Sequence, residues 1–282
     1  MALALALAGC RAAAPPPAVR VTLAGAQVPV DYIESWLSEA RPQSFAVTKV
    51  WPMRFSLDGF ERLRDGACDL ACTDRPITAR ELAQFEGRPI RGYRVAFYGY
   101  ALYVHPSNPL DAVFVKHMKL VLQKKITDWS QLAAEPIPNL SGPIRLYGPP
   151  KSSRGGMVLS PLANIWFADA TWEVLPTDAA VVQRVSEDPQ ALGFAALGYD
   201  DGVRYLGLRM ERTATPAFPS LEEIETERYG LAKLIYVYAP DPPGPAAQAV
   251  LDYLYSPAGR AAMERSAIWP VPRDRSAVAA TP

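Results

Sequence analysis

Three cysteines, two histidines and a single Ser-Ser pair are the chain's candidates for covalent or metal chemistry. His105 and His117 are too far apart for a His-x-x-x-His ligand pair, and His117, between Lys116 and Met118, reads as a surface residue. Cys68 and Cys72 lie four apart with no histidine nearby, which does not support a zinc site. If Asp69–Cys72 is a strand, the two cysteines are also too far apart to bridge, so two buried thiols are expected. Ser152-Ser153 lacks the Gly-x-Ser-x-Gly setting and a neighbouring base, and no Gly-rich nucleotide loop occurs. Neither an enzyme nor a bound cofactor or metal is expected. Cys10 stands apart. It follows the apolar run Met1–Ala8, which is too short to cross a hydrocarbon layer of ~30 Å. Leu7-Ala8-Gly9-Cys10 looks like a bacterial lipobox, whose cysteine becomes the acylated first residue of the mature chain.

Composition narrows the partners. Of 282 residues 49% are apolar and 21% charged, the profile of a folded globular protein. Twenty-nine Lys and Arg balance 29 Asp and Glu, leaving no basic field for nucleic acid. An anion recognised here has to be gripped locally. The 28 prolines punctuate loops and argue against a coiled coil or bundle.

The elements alternate between periods 2 and 3.6. Strands are expected at Val19–Leu23, Cys68–Cys72, Tyr93–Val104, Ile144–Tyr147, Ala191–Leu197, Val203–Leu208 and Tyr229–Tyr238. Helices are expected at Asp31–Ala40, Asp58–Arg64, Ala112–Lys124, from Gly155 onward, and at Ala180–Glu187, Pro245–Tyr255 and Pro257–Ser266. Thr78-Ala79-Arg80-Glu81 is a capping box that starts a further short helix. Strands separated by helices predict an α/β fold with mostly parallel sheets. The two long β runs suit two lobes joined by two crossing strands. The expected division is residues 1–10 as a lipoprotein signal, 11–20 as an extended linker, 21–104 and 229–272 as one lobe, 105–228 as the other, and 273–282 as a frayed tail.

Five ordered segments resemble the phosphate-type solute-binding proteins of ABC importers. They are Asp69–Thr78, Lys125-Ile126-Thr127-Asp128-Trp129, Pro189–Phe194, Tyr229-Gly230-Leu231-Ala232 and Leu254–Arg260. The similarity runs from about residue 21 to 272. It implies a two-lobed, periplasmic-binding-protein-like fold that closes on an oxyanion. The expected setting is the bacterial cell envelope, as a monomer anchored to a membrane through Cys10, with an ABC permease as partner. The alternative is a lipid-anchored sensor or surface-interaction module of the same fold that has lost transport.

The resemblance places site residues. Asp74 takes the family's carboxylate position, where it accepts a hydrogen bond from a protonated oxyanion and repels one with no proton to give. It could instead cap a helix or pair with Arg75. Ser56 matches a serine that donates to the ligand from a helix start, and an ordinary helix cap would sit in nearly the same place. Gln27-Val28 stands where the family has a hydroxyl-plus-apolar pair before proline. In the second lobe Ser153 is kept, but Arg154 and Gly155 replace Gly-Thr, and Pro149 replaces an arginine. Arg154 can restore the lost guanidinium or remain a solvated loop residue, and Lys151 is a lesser candidate.

Overall fold

The computed structural model describes residues 17–41, 44–133, 135–151, 171–199, 201–211, 214–266 and 268–278. The first stretch folds as β1 (Val19–Gly25), α1 (Gln27–Ser38), β2 (Phe45–Lys49), α2 (Ser56–Arg64), β3 (Leu70–Thr73), α3 (Ala79–Ala83) and β4 (Ile90–Val104). The middle contributes β5 (Ala112–Phe114), α4 (Val115–Leu122), β6 (Arg145–Gly148), β7 (Glu173–Val174), α5 (Asp178–Glu187), β8 (Ala191–Ala196), β9 (Arg204–Arg209) and α6 (Leu221–Glu225). The chain then returns through β10 (Ala232–Pro240), α7 (Pro245–Leu254), α8 (Pro257–Arg265), β11 (Trp269–Pro270) and β12 (Ala277–Val278).

The strand order β2-β1-β3-β10-β4-β8-β6-β7 passes through two halves that share β4. In the first half β1 runs parallel to β2 and β3, and β10 lies antiparallel between β3 and β4. In the second, β6 runs parallel to β7 and β8, while β4 pairs antiparallel with β8 and β9. β4 changes partner in mid-strand: Ile90–Gly99 face β10, and Tyr100–Val104 face β8. Next to that point Tyr100 N–H donates to Leu231 O at 2.9 Å, so both chain crossings meet there. This is the α/β arrangement expected, with antiparallel crossing strands inside otherwise parallel sheets.

Burial follows the period of each element. α1 turns Ile33, Trp36 and Leu37 onto one sheet face, where α7 adds Val250, Leu251 and Leu254 and α8 adds Ala262 and Met263. α2 lays Phe60 and Leu63 on the other face, with the Phe60 ring edge-on to Tyr238 at 5.1 Å. Cys68 and Cys72 are free and buried as expected, and desolvation pushes the Cys68 thiol up to about 12 and the Cys72 thiol up as well.

Three expectations need correction. α1 starts at Gln27, four residues before Asp31, because Pro29 sits in its first turn, where a missing N–H costs nothing. Ala112–Phe114 is a strand, since it pairs parallel with Gly207–Arg209, and the helix begins only at Val115. Arg273–Val278 does not fray. Ala277 and Val278 pair with Tyr93 and Gly92 of β4, and Arg94 N–H donates to Ser276 O at 2.7 Å. The helix expected from Gly155 lies outside the described residues.

Candidate anion site at the first half-sheet

The carboxyl ends of β1 and β3 converge on one edge, the place where open α/β sheets offer a crevice. Three small residues let them come this close. Gly25 ends β1 at φ +133°, and a Cβ there would lie 2.0 Å from Cys72 O of β3. A Cβ on Gly59 of α2 would lie 2.8 Å from the Gly25 Cα. Ala26 N–H donates to Cys72 O at 3.0 Å, tying the start of α1 to the end of β3. The N-termini of α1 and α2 therefore open at the same edge. Gln27 and Val28 are the first two residues of α1, the former exposed and the latter half-buried. Their N–H groups are orphan donors by position, as are those of Ser56 and Leu57 at the start of α2. Asp58, the third residue of α2, accepts from the N–H groups of Arg54 at 2.9 Å and Phe55 at 3.0 Å, which holds the approach to that helix.

Asp74 follows β3 directly and sits among donors. Ser56 Oγ donates to Asp74 Oδ1 at 2.7 Å and in turn accepts Asp74 N–H at 3.1 Å. Ser56 is 3% exposed, so its hydroxyl is committed to the carboxylate rather than to solvent. Lys233 Nζ on β10 donates to Asp74 Oδ2 at 3.3 Å. The neighbouring Arg75 turns away. Its guanidinium grips both oxygens of Glu81 at 2.6 and 2.8 Å and rests 5.5 Å from the Phe60 ring centre. That guanidinium holds the Glu81 carboxyl down at about 2. Thr73 Oγ1 donates to Arg75 O at 3.0 Å, and Ile77 N–H donates to Tyr238 Oη at 3.0 Å. The loop that carries Asp74 is thus fastened at both ends.

Gln27, Val28, Ser56 and Asp74 therefore share one edge of the first half, whereas Ser153, Arg154, Gly155 and Cys10 lie outside the described residues. In the second half Pro149 O accepts Trp172 Nε1–H at 2.9 Å, and Lys151 Nζ lies 5.3 Å from the Trp172 ring centre, a cation–π contact. A cavity of about 130 Å³ separates the two halves near the crossing, lined by Tyr32, Tyr98, Tyr100, Asp178 and Tyr199 among others. Asp178 accepts Ala196 N–H at 3.1 Å, and burial raises its carboxyl above the usual range. Tyr98 and Tyr100, both in β4, thus face this space. Sequence reasoning passed over Lys233 and Gly25. The first had a visible signal, as the only charge in the apolar strand Ala232–Pro240. The second had a weaker one, a Gly between two alanines just before Gln27.

Among the described residues no cluster of His, Cys, Asp or Glu could hold a metal ion, and no helix is long and apolar enough to cross a membrane. Three solved structures share the architecture. A possible phosphate binding protein from Planctomyces limnophilus DSM 3776 gives a TM-score of 0.66 at 20% identity, covering 91% of this chain and 94% of that one. An ABC-type phosphate transport receptor from Vibrio cholerae gives 0.58 at 17% identity, covering 89% and 99%. PstS from Borrelia burgdorferi gives 0.60 at 14%, covering 89% and 98%. In sequence, Protein SphX of Synechococcus elongatus is 25% identical over 206 residues, 64% of this chain. That match spans 56% of the length of SphX. A profile of the PBP superfamily domain matches residues 12–258. By that match, and with the sheet order and shared β4 described above, the chain belongs to the PBP superfamily.

Proposed function

We propose that the protein is an extracytoplasmic solute-binding protein that captures phosphate, or a similar oxyanion, between two lobes and delivers it to an ABC importer. The observation that carries this reading is a carboxylate, Asp74, set beside two helix N-termini. Helix ends attract any anion. A carboxylate among them is useful only toward an anion that can donate a proton, which hydrogen phosphate does and sulfate does not. The structural relatives named as phosphate-binding proteins or receptors support the same choice. One lobe comprises residues 21–104 and 229–272 and the other 105–228, a division supported by the change of partner along β4. Gln27, Val28 and Asp74 face the ligand from the first lobe, with Ser56 offering its backbone N–H while its hydroxyl holds Asp74, and Ser153, Arg154 and Gly155 face it from the second. The protein acts as a monomer, held at a membrane through Cys10.

The test is calorimetric titration of the full chain, stripped of bound anion, with phosphate and with sulfate. Saturable phosphate binding that exceeds sulfate binding is expected, and no heat with either anion would overturn the reading. In the same titration Arg154→Ala should weaken phosphate about ten- to a hundredfold, since a hydrogen bond to a charged group contributes roughly 1.5–3 kcal/mol. An unchanged affinity would take Arg154 out of the site. The anchor has its own readout. Expressed with its natural leader in a bacterium, the chain should carry two acyl chains on a diacylglyceryl Cys10 by mass spectrometry, enough for stable attachment. An unmodified Cys10 on released protein would refute that part alone.

A further inference from the structure

β10 is apolar from Ala232 to Pro240 except for Lys233. The Lys233 side chain is 61% exposed, yet its ammonium reaches Asp74 Oδ2 at 3.3 Å. An ion pair this open to water adds little to folding, so stability does not explain why a lysine stands here. Charge at the site does. The N-termini of α1 and α2 each carry about half a positive charge, and Asp74 carries a full negative one. Asp58 in the first turn of α2 is offset by Arg54 at 3.7 Å, so without Lys233 these groups sum to about zero and a dianion gains little from their net field. With it, the sum is about one positive charge. The register puts Lys233 directly opposite Tyr98, so the two side chains leave the sheet on the same face. Tyr98 lines the space between the halves.

We propose that Lys233 is a ligand-binding residue: it donates to an oxyanion held against Asp74, and in the empty cleft it occupies the Asp74 carboxylate instead. This rests on the oxyanion reading above and adds to it a cation from the first lobe. It also bears on selectivity. By neutralising part of the Asp74 charge, Lys233 softens the repulsion that excludes a fully deprotonated anion. Removing it should therefore harm sulfate more than phosphate, because phosphate can still give a proton to the bare carboxylate.

The experiment is titration of the full chain with sodium phosphate and sodium sulfate, using wild type, Lys233→Gln, Lys233→Arg, Asp74→Asn and the Asp74→Asn/Lys233→Gln double variant. Lys233→Gln should melt with the wild type but bind phosphate about ten- to a hundredfold more weakly, with a larger loss for sulfate. Lys233→Arg should stay within a few-fold of wild type, because the charge is kept. The double variant should bind phosphate more weakly than Asp74→Asn alone, since the ammonium acts on the anion and not only on Asp74. If Lys233→Gln binds phosphate as the wild type does, or costs nothing in the Asp74→Asn background, the assignment is overturned while the oxyanion reading stands. If the wild type binds neither anion, both fall together.

Discussion

Asp74→Asn should collapse the preference for phosphate over sulfate by about a hundredfold, with the two affinities moving in opposite directions. Phosphate loses a charge-assisted hydrogen bond to its own proton, a contact worth roughly 1.5–3 kcal/mol. Sulfate is relieved of a negative charge a few ångströms away, and an amide can donate to it. Each change is about tenfold or more, and the ratio takes their product. The local network sharpens the expectation. Asp74 accepts from Ser56 Oγ on one oxygen and from Lys233 Nζ on the other. An asparagine has only one acceptor oxygen, so its amide group faces either a hydroxyl that can rotate or an ammonium that cannot accept. The carboxamide should therefore keep its oxygen toward Lys233 and turn its NH₂ toward Ser56, whose lone pairs can receive it. Parallel titrations of the two anions settle the matter. An equal phosphate-to-sulfate ratio in wild type and Asp74→Asn would remove Asp74 from the site.

Local features were the legible ones. The capping box Thr78–Glu81 folds as read, with Glu81 N–H donating to Thr78 Oγ1 at 3.3 Å and Glu81 Oε2 accepting Thr78 N–H at 2.9 Å. The stripe Ile33, Trp36 and Leu37 identified α1, because a helix-period apolar face needs no distant partner to be recognised. Its start was not legible. The N-cap is Ala26, which has no side-chain oxygen to announce a helix, and the anchor is Cys72 O on another strand. Ala112–Phe114 misled for a related reason. Three apolar residues that run into a helical stripe become a strand only through pairing with Gly207–Arg209, nearly a hundred positions away. β2 (Phe45–Lys49) was missed because it is a short edge strand with no fully buried residue and is defined mainly by its register with β1.

The site divides along the same line. Asp74 was placed through an ordered motif and Ser56 through its match to a serine at a helix start, and the structure sets the Ser56 hydroxyl 2.7 Å from the Asp74 carboxylate. The competing pairing of Asp74 with Arg75 is absent among the described contacts because Glu81 draws the guanidinium away. Lys233, 159 positions from Asp74, could be connected to it only once β10 was known to lie beside β3. Ionic partners of this kind are decided by topology, and a lone strand lysine reads equally well as a solvent-facing residue until the sheet order is known.

Gly25→Ala should be strongly damaging, since it combines a positive φ with a backbone collision. At φ +133° an L side chain is strained by about 1–3 kcal/mol wherever it points. Here the new Cβ also falls 2.0 Å from Cys72 O, a backbone atom in a paired strand that cannot rotate away. Forced separation of packed elements costs a further 1–3 kcal/mol or so. Together these remove about 2–6 kcal/mol from a fold whose total margin is typically about 5–15 kcal/mol. At about 2–4 °C per kcal/mol, the melting temperature should fall by about 4–24 °C. The displacement is aimed at the site. Relieving the clash means moving β1 from β3, or tilting the turn through Ala26, whose N–H holds Cys72 O at 3.0 Å. Either movement swings the N-terminus of α1 away from Asp74 and loosens Gly59 against Gly25. Phosphate binding should consequently fall more than tenfold even at temperatures where the variant is folded. Gly66→Ala is the matched control. Gly66 has φ +68° but nothing within 4 Å of the added Cβ, so it carries strain without collision. It should cost about 1 kcal/mol and leave phosphate affinity unchanged. Thermal unfolding and phosphate titration of the two variants side by side separate the effects. If Gly25→Ala melts and binds like Gly66→Ala, the close approach of β1 to β3 does not position the α1 end of the site.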